Sequence, residues 1–191
     1  MPAQLYLASR SPRRASFLEQ LGLRFETLPA DVPEQPQPGQ APADYALAVA
    51  LAKVRAAAHA APRPLPVLGA DTDVSIDGEI LGKPRDRADA LAMLARLSGR
   101  GHEVCSAVAV IAGARVETAL SVTRVEFGPI SPVQAAAYWD SGEPADKAGA
   151  YAIQGHAARW VRRIEGSYSG VVGLPLYETC ELLRRIGVEV P

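Results

Sequence analysis

The chain has few cysteines and no long apolar run, and these shortages exclude several classes of protein. Only Cys105 and Cys180 occur in 191 residues, each within an apolar pattern and without a second Cys or His at ligand spacing. This usage favours reduced packing residues over a disulfide framework or a zinc site. No apolar stretch approaches the roughly 20 residues that a membrane-spanning helix needs, and the first residues lack the basic start and apolar segment of an export signal. We therefore expect a cytoplasmic protein with no membrane partner.

An excess of positive charge is also missing. The 20 Lys and Arg residues are balanced by 21 Asp and Glu, whereas a protein that holds nucleic acid by its backbone normally carries a basic excess on one face. The only dense basic cluster is Arg10, Arg13 and Arg14, which is sufficient for one phosphorylated small molecule. A glycine-rich P-loop is absent too, because Gly99-Arg100-Gly101-His102 lacks the Gly-Lys-Ser/Thr ending. We expect no nucleic-acid partner.

The hydrophobic spacing predicts an α/β protein, and we expect one domain over residues 1–191. Residues 29–43 contain five prolines and predict a long irregular loop. The predicted helices are a segment after Pro12 that is capped by Ser11 and ended by Gly22, then 44–61, 86–98, 131–140 and 174–186. The predicted strands are 5–8, 65–76 with a hairpin turn at 77–78 leading to 80–81, the antiparallel pair 103–112 and 115–127, and the short strands 158–164 and 171–172.

Polar residues follow the first strand, at the start of the first helix. Arg13 and Arg14 lie in the first helical turn, where backbone N–H groups have no intrahelical partner and the helix dipole is positive. Ser9 and Ser11 add hydroxyl donors, so this segment is suited to bind phosphate. The alternative is a capped helix with solvated arginines.

Acidic residues follow an apolar run in the middle of the chain. Asp71 comes after Gly69-Ala70, and we expect it at the carboxyl end of a strand, the usual place for ligand groups in an open α/β sheet. An acid there can hold a divalent metal or accept a proton from water, with Glu34 in the proline-rich loop as the nearest further ligand. Asp73 is a weaker candidate on the same strand face. Taken alone, Asp71-Thr72 is equally typical of a turn.

Two lysines in different elements are candidates for neutralising phosphate oxygens. Lys83 lies within Gly82-Lys83-Pro84, which restricts the backbone around it, and Lys53 lies on a later turn of the second helix. A lysine provides a point charge that suits phosphate. Lys53 is equally consistent with a solvated helix residue.

The residues from Ser141 to Gly155 form a third polar segment that no core-building pattern requires. Together these segments resemble the Maf family of nucleotide pyrophosphatases, also called septum formation inhibitors. The resemblance extends over almost the whole chain through 5–9 with 11–14, 69–72, 82–84, 97–99, 146–151 with 153–155, and 166–168 with 171–176. Arg13-Arg14 and the run from Asp146 to Gln154 resemble the branch that hydrolyses dTTP and UTP to the monophosphate and pyrophosphate.

The resemblance implies a mixed, elongated, twisted sheet with flanking helices and a central cleft between two lobes, related to inosine-triphosphate pyrophosphatases. It implies that Asp71 is the proton acceptor and that Glu34 and Asp71 hold Mg²⁺ or Mn²⁺. The resemblance assigns substrate choice to Arg13, Thr72 and Gln154. Other polar or phosphate-binding positions of the family are matched by Ser9, Arg14, Lys53 and Lys83.

The same resemblance implies a nucleoside triphosphate as substrate and a homodimer as the assembly. Arg10, Ala152 and Gly170 depart from the family pattern, and only Arg10 bears on phosphate affinity. Two alternatives stay open at this point. One is an enzyme that prefers modified pyrimidine nucleotides, and the other is a non-catalytic nucleotide-binding regulator of septum formation.

Overall fold

The structure is a computed structural model that describes residues 2–191. Within these residues, seven strands form one mixed sheet. The spatial order is β2-β1-β3-β5-β6-β7, and β4 pairs with β3 off this path. The strands are β1 (Leu5–Leu7), β2 (Phe25–Thr27), β3 (Val67–Ile76), β4 (Glu79–Ile80), β5 (Gly101–Ala112), β6 (Arg115–Phe127) and β7 (Val161–Glu165).

The sheet combines a parallel part with an antiparallel part. β1 pairs in parallel with β2 and β3, whereas β3, β5, β6 and β7 form antiparallel pairs. The predicted hairpin turn is confirmed, since Asp77 and Gly78 both adopt positive φ, 55° and 78°, as a tight two-residue turn requires. The predicted pair around Gly113 is confirmed as β5 and β6.

Six helices lie on both sides of the sheet in residues 2–191. They are α1 (Pro12–Gln20), α2 (Pro42–Ala60), α3 (Arg87–Leu97), α4 (Pro132–Asp140), α5 (Tyr168–Val172) and α6 (Leu176–Arg185). Apolar residues of α2 pack on one sheet face, and those of α1 and α6 pack on the other. A third apolar cluster joins α3 and α4 to the far end of β3, β5 and β6. The expected α/β class with flanking helices is confirmed.

Two predictions of short strands are wrong in whole or in part. Of the predicted strand 158–164, only residues 161–164 are in a strand, β7 (Val161–Glu165), because His156–Trp160 forms a 3₁₀ turn that buries Trp160. Val171 and Val172 lie in α5, which Ser167 caps by accepting from the N–H of Gly170. Two β-branched residues favour a strand locally, but this cap outweighs so weak a preference.

Candidate active site

The different lengths of β1 and β3 create a cavity beside the sheet. β1 pairs with β3 only as far as Leu7 and Leu68, whereas β3 continues to Ile76. Beyond the end of β1 lies a cavity of about 960 Å³, which is bordered by residues 8–14, 29–35, 71–74, 82–85, 146–154 and 171–173 among others. The three polar segments seen in the sequence therefore converge on one cleft.

All of the candidate site residues line this cavity. They are Ser9, Arg13, Arg14, Glu34, Lys53, Asp71, Thr72, Lys83 and Gln154. One expectation about their placement is wrong, because Asp71 does not lie at the carboxyl end of its own strand. It lies in the middle of β3, paired with Ala107 of β5. It reaches the cavity because the neighbouring strand, β1, ends before it.

Lys53 is the central cation of the cavity. Its Nζ lies 2.6 Å from Asp71 Oδ1 and 2.6 Å from Glu34 Oε1, and its side chain is only 10% exposed. The solvated alternative for Lys53 is therefore wrong. The close approach of α2 to β3 depends on Gly69, because a Cβ there would lie 2.7 Å from Cγ1 of Val54. Glycine at this position thus brings Lys53 within reach of Asp71.

Glu34 lies between the two lysines. Its Oε2 accepts a hydrogen bond from Lys83 Nζ at 3.0 Å, while its Oε1 contacts Lys53. Burial alone would raise the pKa of Glu34, but the hydrogen bonds and charges of Lys53 and Lys83 outweigh burial and lower it. The proline-rich loop is thereby held to the sheet by an ionised carboxylate.

Asp73 adds a third acidic side chain to the cavity. It lies on the same face of β3 as Asp71, and its Oδ2 has no hydrogen-bond partner among the described residues. Burial, and then the neighbouring Asp71 carboxylate, raise the pKa of Asp73 to about 9. The nearby cations thus do not fully compensate the acidic groups at this point.

The two arginines of α1 are held by backbone carbonyls at the end of α5. Arg13 Nε donates to Val172 O at 3.2 Å, and Arg14 Nε donates to Gly173 O at 2.8 Å. Burial lowers the pKa of Arg14, whose Nη1 lies 3.4 Å from Ser9 Oγ. Both guanidinium groups are therefore fixed before any ligand arrives.

The predicted cap of α1 is only partly correct. Ser11 is the N-cap residue and Pro12 is at the first helical position, but the Ser11 side chain makes no capping hydrogen bond. Its backbone N–H instead donates to Ser9 Oγ at 3.1 Å. Ser9 thus accepts from both Ser11 and Arg14, which fixes its hydroxyl group in the lining of the cavity.

Gln154 lies on a loop that an acidic side chain organises. Glu143 accepts hydrogen bonds from the Tyr138 hydroxyl at 2.6 Å and from the N–H of His156 at 3.1 Å. The Tyr138 hydroxyl also accepts from the N–H of Ala152 at 3.0 Å. Gln154 itself is exposed, and no hydrogen bond within residues 2–191 involves its side chain. Its amide is therefore available to a ligand on a loop whose backbone is fixed.

The acidic side chains suit a divalent metal, although they do not form a complete site. Across residues 2–191, no three His, Cys, Asp or Glu side chains are grouped closely enough to hold a metal ion. Mg²⁺ commonly binds through one or two carboxylates and completes its shell with waters and substrate phosphates. The orphaned Oδ2 of Asp73 and the adjacent Asp71 provide such a pair. The residues present therefore fit a metal that arrives with a polyphosphate.

Sequence reasoning missed several residues of the cavity. Tyr45 of α2 is buried, and burial, followed by the negative charges of Asp73, Asp71 and Glu34, raises its pKa. Lys147 also lines the cavity and pairs with Asp146. Lys147 is part of the polar segment from 141 to 155, so the sequence signalled it, whereas Tyr45 follows an ordinary helical spacing that carries no such signal.

Comparisons with known proteins find relatives that are similar over almost the whole chain. The chain is 50% identical over 189 residues to a dTTP/UTP pyrophosphatase of Methylobacillus flagellatus, with 98% of this chain and 95% of that protein covered. It is 54% identical over 192 aligned positions to a dTTP/UTP pyrophosphatase of Burkholderia pseudomallei, with 94% and 92% covered. Among solved structures, the Ham1 protein of Staphylococcus aureus is 14% identical with a TM-score of 0.49, covering 64% of this chain and 71% of that one, which carries no argument about function.

No helix in residues 2–191 is long and apolar enough to span a bilayer. The family model described as Maf-like protein matches residues 4–186, which is nearly the whole chain. With that match, and with relatives half identical over almost their full length, the chain belongs to the Maf family.

Proposed function

We propose that this protein hydrolyses dTTP and UTP to the corresponding monophosphate and pyrophosphate. Relatives that carry this activity in their names are about half identical to it over more than nine-tenths of their length. The observation that carries the proposal is the buried Lys53–Asp71 pair, which opens onto a cavity of about 960 Å³. A cavity of that size accommodates a nucleotide.

In the proposed reaction, Asp71 acts as the general base. It accepts a proton from a water molecule whose oxygen forms a bond to the α-phosphorus. The bond between the α-phosphorus and its bridging oxygen breaks, and pyrophosphate leaves with the electron pair of that bond. Lys53 donates to Asp71 Oδ1 and so fixes the direction in which the carboxylate faces the cavity.

Cationic side chains surround the position proposed for the triphosphate. Lys83 is largely exposed, while Arg13 and Arg14 are held by carbonyls of residues 172 and 173. Charge that builds on the departing pyrophosphate is stabilised by such preorganised groups. Ser9 and Arg14, at the start of α1, complete the proposed phosphate contacts.

Mg²⁺ or Mn²⁺ is the proposed cofactor. Asp71 and Glu34 would hold it, and Asp73, on the same strand face as Asp71, is the alternative partner of Asp71. When bound, such a metal supplies positive charge to the triphosphate oxygens. The lysine contacts of Glu34 give the loop from 29 to 35 a defined position in which this carboxylate faces the cavity.

Selection of the base is assigned to Gln154, Arg13 and Thr72. The Gln154 amide offers both a donor and an acceptor, which suits the imide edge that thymine and uracil share. Modified pyrimidines that keep this edge are substrates of the same kind. A homodimer, a cytoplasmic location and the absence of nucleic-acid and membrane partners stay predictions.

The test is a panel of dTTP, UTP, CTP and GTP with Mg²⁺, in which pyrophosphate and orthophosphate are measured separately. We expect pyrophosphate from dTTP and UTP at the highest kcat/KM. Asp71→Asn should lower turnover by ~10² or more while the protein stays folded, since a general base is lost. Asp77→Asn is the matched control, because it makes the same change in a surface turn whose positive φ asparagine tolerates.

Two results would contradict the proposal. Orthophosphate and a nucleoside diphosphate as the first products would show attack at another phosphorus. Binding of nucleotides without any hydrolysis would favour the regulatory alternative.

A further inference from the structure

A buried series of hydrogen bonds connects Thr72 to α5. Ser106 of β5 lies directly opposite Thr72 of β3, and their hydroxyl oxygens are 2.9 Å apart. Ser106 Oγ also lies 2.6 Å from the carbonyl oxygen of Gly170. Ser106 is 1% exposed, so water does not compete for either contact.

The direction of each hydrogen bond in this series is determined. A carbonyl oxygen can only accept, so Ser106 must donate its single proton to Gly170. The contact between Ser106 and Thr72 therefore requires Thr72 to donate. The Thr72 proton is used within the protein, and the oxygen of Thr72 faces the cavity as an acceptor only.

The remaining neighbour of that oxygen is a weak donor to it. Arg14 Nη2 lies 3.5 Å from Thr72 Oγ1, at the limit of a hydrogen bond, while its Nε is held by Gly173. Thr72 is half-buried and lines the cavity. An acceptor in this position is satisfied by a ligand that brings an N–H group.

We infer that Ser106 is a positioning residue that makes the Thr72 hydroxyl an acceptor and thereby favours bases with an N–H at the imide position. Thymine and uracil present N3–H, whereas cytosine presents an unprotonated N3 that would face the Thr72 oxygen, lone pair to lone pair. The inference rests on the proposed function, in which Thr72 contributes to base selection. It also gives a role to the segment from Gly166 to Gly173, whose carbonyls hold Ser106, Arg13 and Arg14.

The test compares uracil with cytosine nucleotides in Ser106→Ala. Without Ser106, the Thr72 hydroxyl can rotate and donate to N3 of cytosine. We expect the UTP-to-CTP ratio of kcat/KM to fall by ~5–10-fold, the effect of one hydrogen bond. Dissociation constants of the α,β-imido analogues of UTP and CTP should show the same change in preference.

Thr72→Val separates this positioning role from a merely structural one. It removes the oxygen on which Ser106 is inferred to act, so adding Ser106→Ala to Thr72→Val should change the preference no further. Thr72→Ser keeps the hydroxyl and should keep the parent preference. If Ser106→Ala does not fold, Ser106→Cys fills the space with a weak donor and acceptor and should show the same loss of preference.

Each outcome of these measurements decides the inference. A UTP-to-CTP ratio of kcat/KM that stays unchanged in Ser106→Ala, with or without an equal loss on both nucleotides, would overturn the inference. Thr72 would then contact the sugar or the phosphates. Additive effects of the two substitutions would overturn it as well. Failure of the proposed function would instead be seen as no pyrophosphate release by the parent protein, and the analogue affinities would still report the preference.

Discussion

Replacing Lys53 by Met removes the cation that lies between two carboxylates, and we expect a large loss of stability. Lys53 Nζ contacts Asp71 and Glu34, each at 2.6 Å, with a side chain that is 10% exposed. Removing one partner of a buried ion pair costs ~3–5 kcal/mol, because the other charge is left buried without compensation. Glu34 retains Lys83, so we expect the lower end of that range, ~3 kcal/mol. For a chain of this size, that loss lowers Tm by about 6–12 °C.

The assay is thermal unfolding followed by circular dichroism, with urea unfolding as a second measure. Lys83→Met is the matched control, because the Lys83 side chain is 59% exposed and forms one pair, at 3.0 Å, with Glu34. An exposed pair contributes ~0–1 kcal/mol, so the Tm of this control should change by no more than ~4 °C. Equal changes of Tm in both variants would show that the burial of Lys53 adds nothing to the stability of its ion pairs.

Two further predictions concern base selection and pH. Gln154→Ala should lower kcat/KM for dTTP and UTP severalfold to a hundredfold, the ~1–3 kcal/mol of a lost amide contact, with little change in Tm or in rates on GTP; equal losses on all nucleotides would refute its role in selection. Burial lowers the pKa of His102 to about 4, so the unfolded chain binds more protons below pH 6.5. The free energy of unfolding should therefore fall as the pH falls from about 6.5 to about 4, by ~3 kcal/mol more in the parent protein than in His102→Gln. The same pH dependence of urea unfolding in both proteins would contradict this.

Elements whose signals are local were predictable from the sequence. Helix α3 follows an uninterrupted amphipathic pattern, and its cap, Asp86, accepts from the N–H of Asp89. The turn at Asp77 and Gly78 has the composition that positive φ requires. The strand predicted at residues 171–172 was wrong because two adjacent valines favour a strand locally, whereas the residues belong to a helix that Ser167 caps.

The candidate site was predictable in its residue types but not in its arrangement. Asp71 was a candidate because it follows an apolar run. Its access to the cavity, however, depends on β1 ending before β3, and this is a property of the whole sheet. The burial of Lys53 depends on the packing of α2 on Gly69, and an alanine-rich helix shows no sign of that contact. The Ser106 hydroxyl opposite Thr72 depends on the register of β3 with β5, which hydrophobic alternation does not specify.

Hydrolysis of dTTP in water enriched in ¹⁸O, with both products analysed by mass spectrometry, shows which phosphorus atom water attacks. Attack of water on the α-phosphorus forms the new bond in the monophosphate. We therefore expect one ¹⁸O atom in dTMP and none in pyrophosphate. Label in pyrophosphate would show attack on the β-phosphorus, and label in orthophosphate with dTDP as the other product would show attack on the γ-phosphorus; either result would contradict attack on the α-phosphorus.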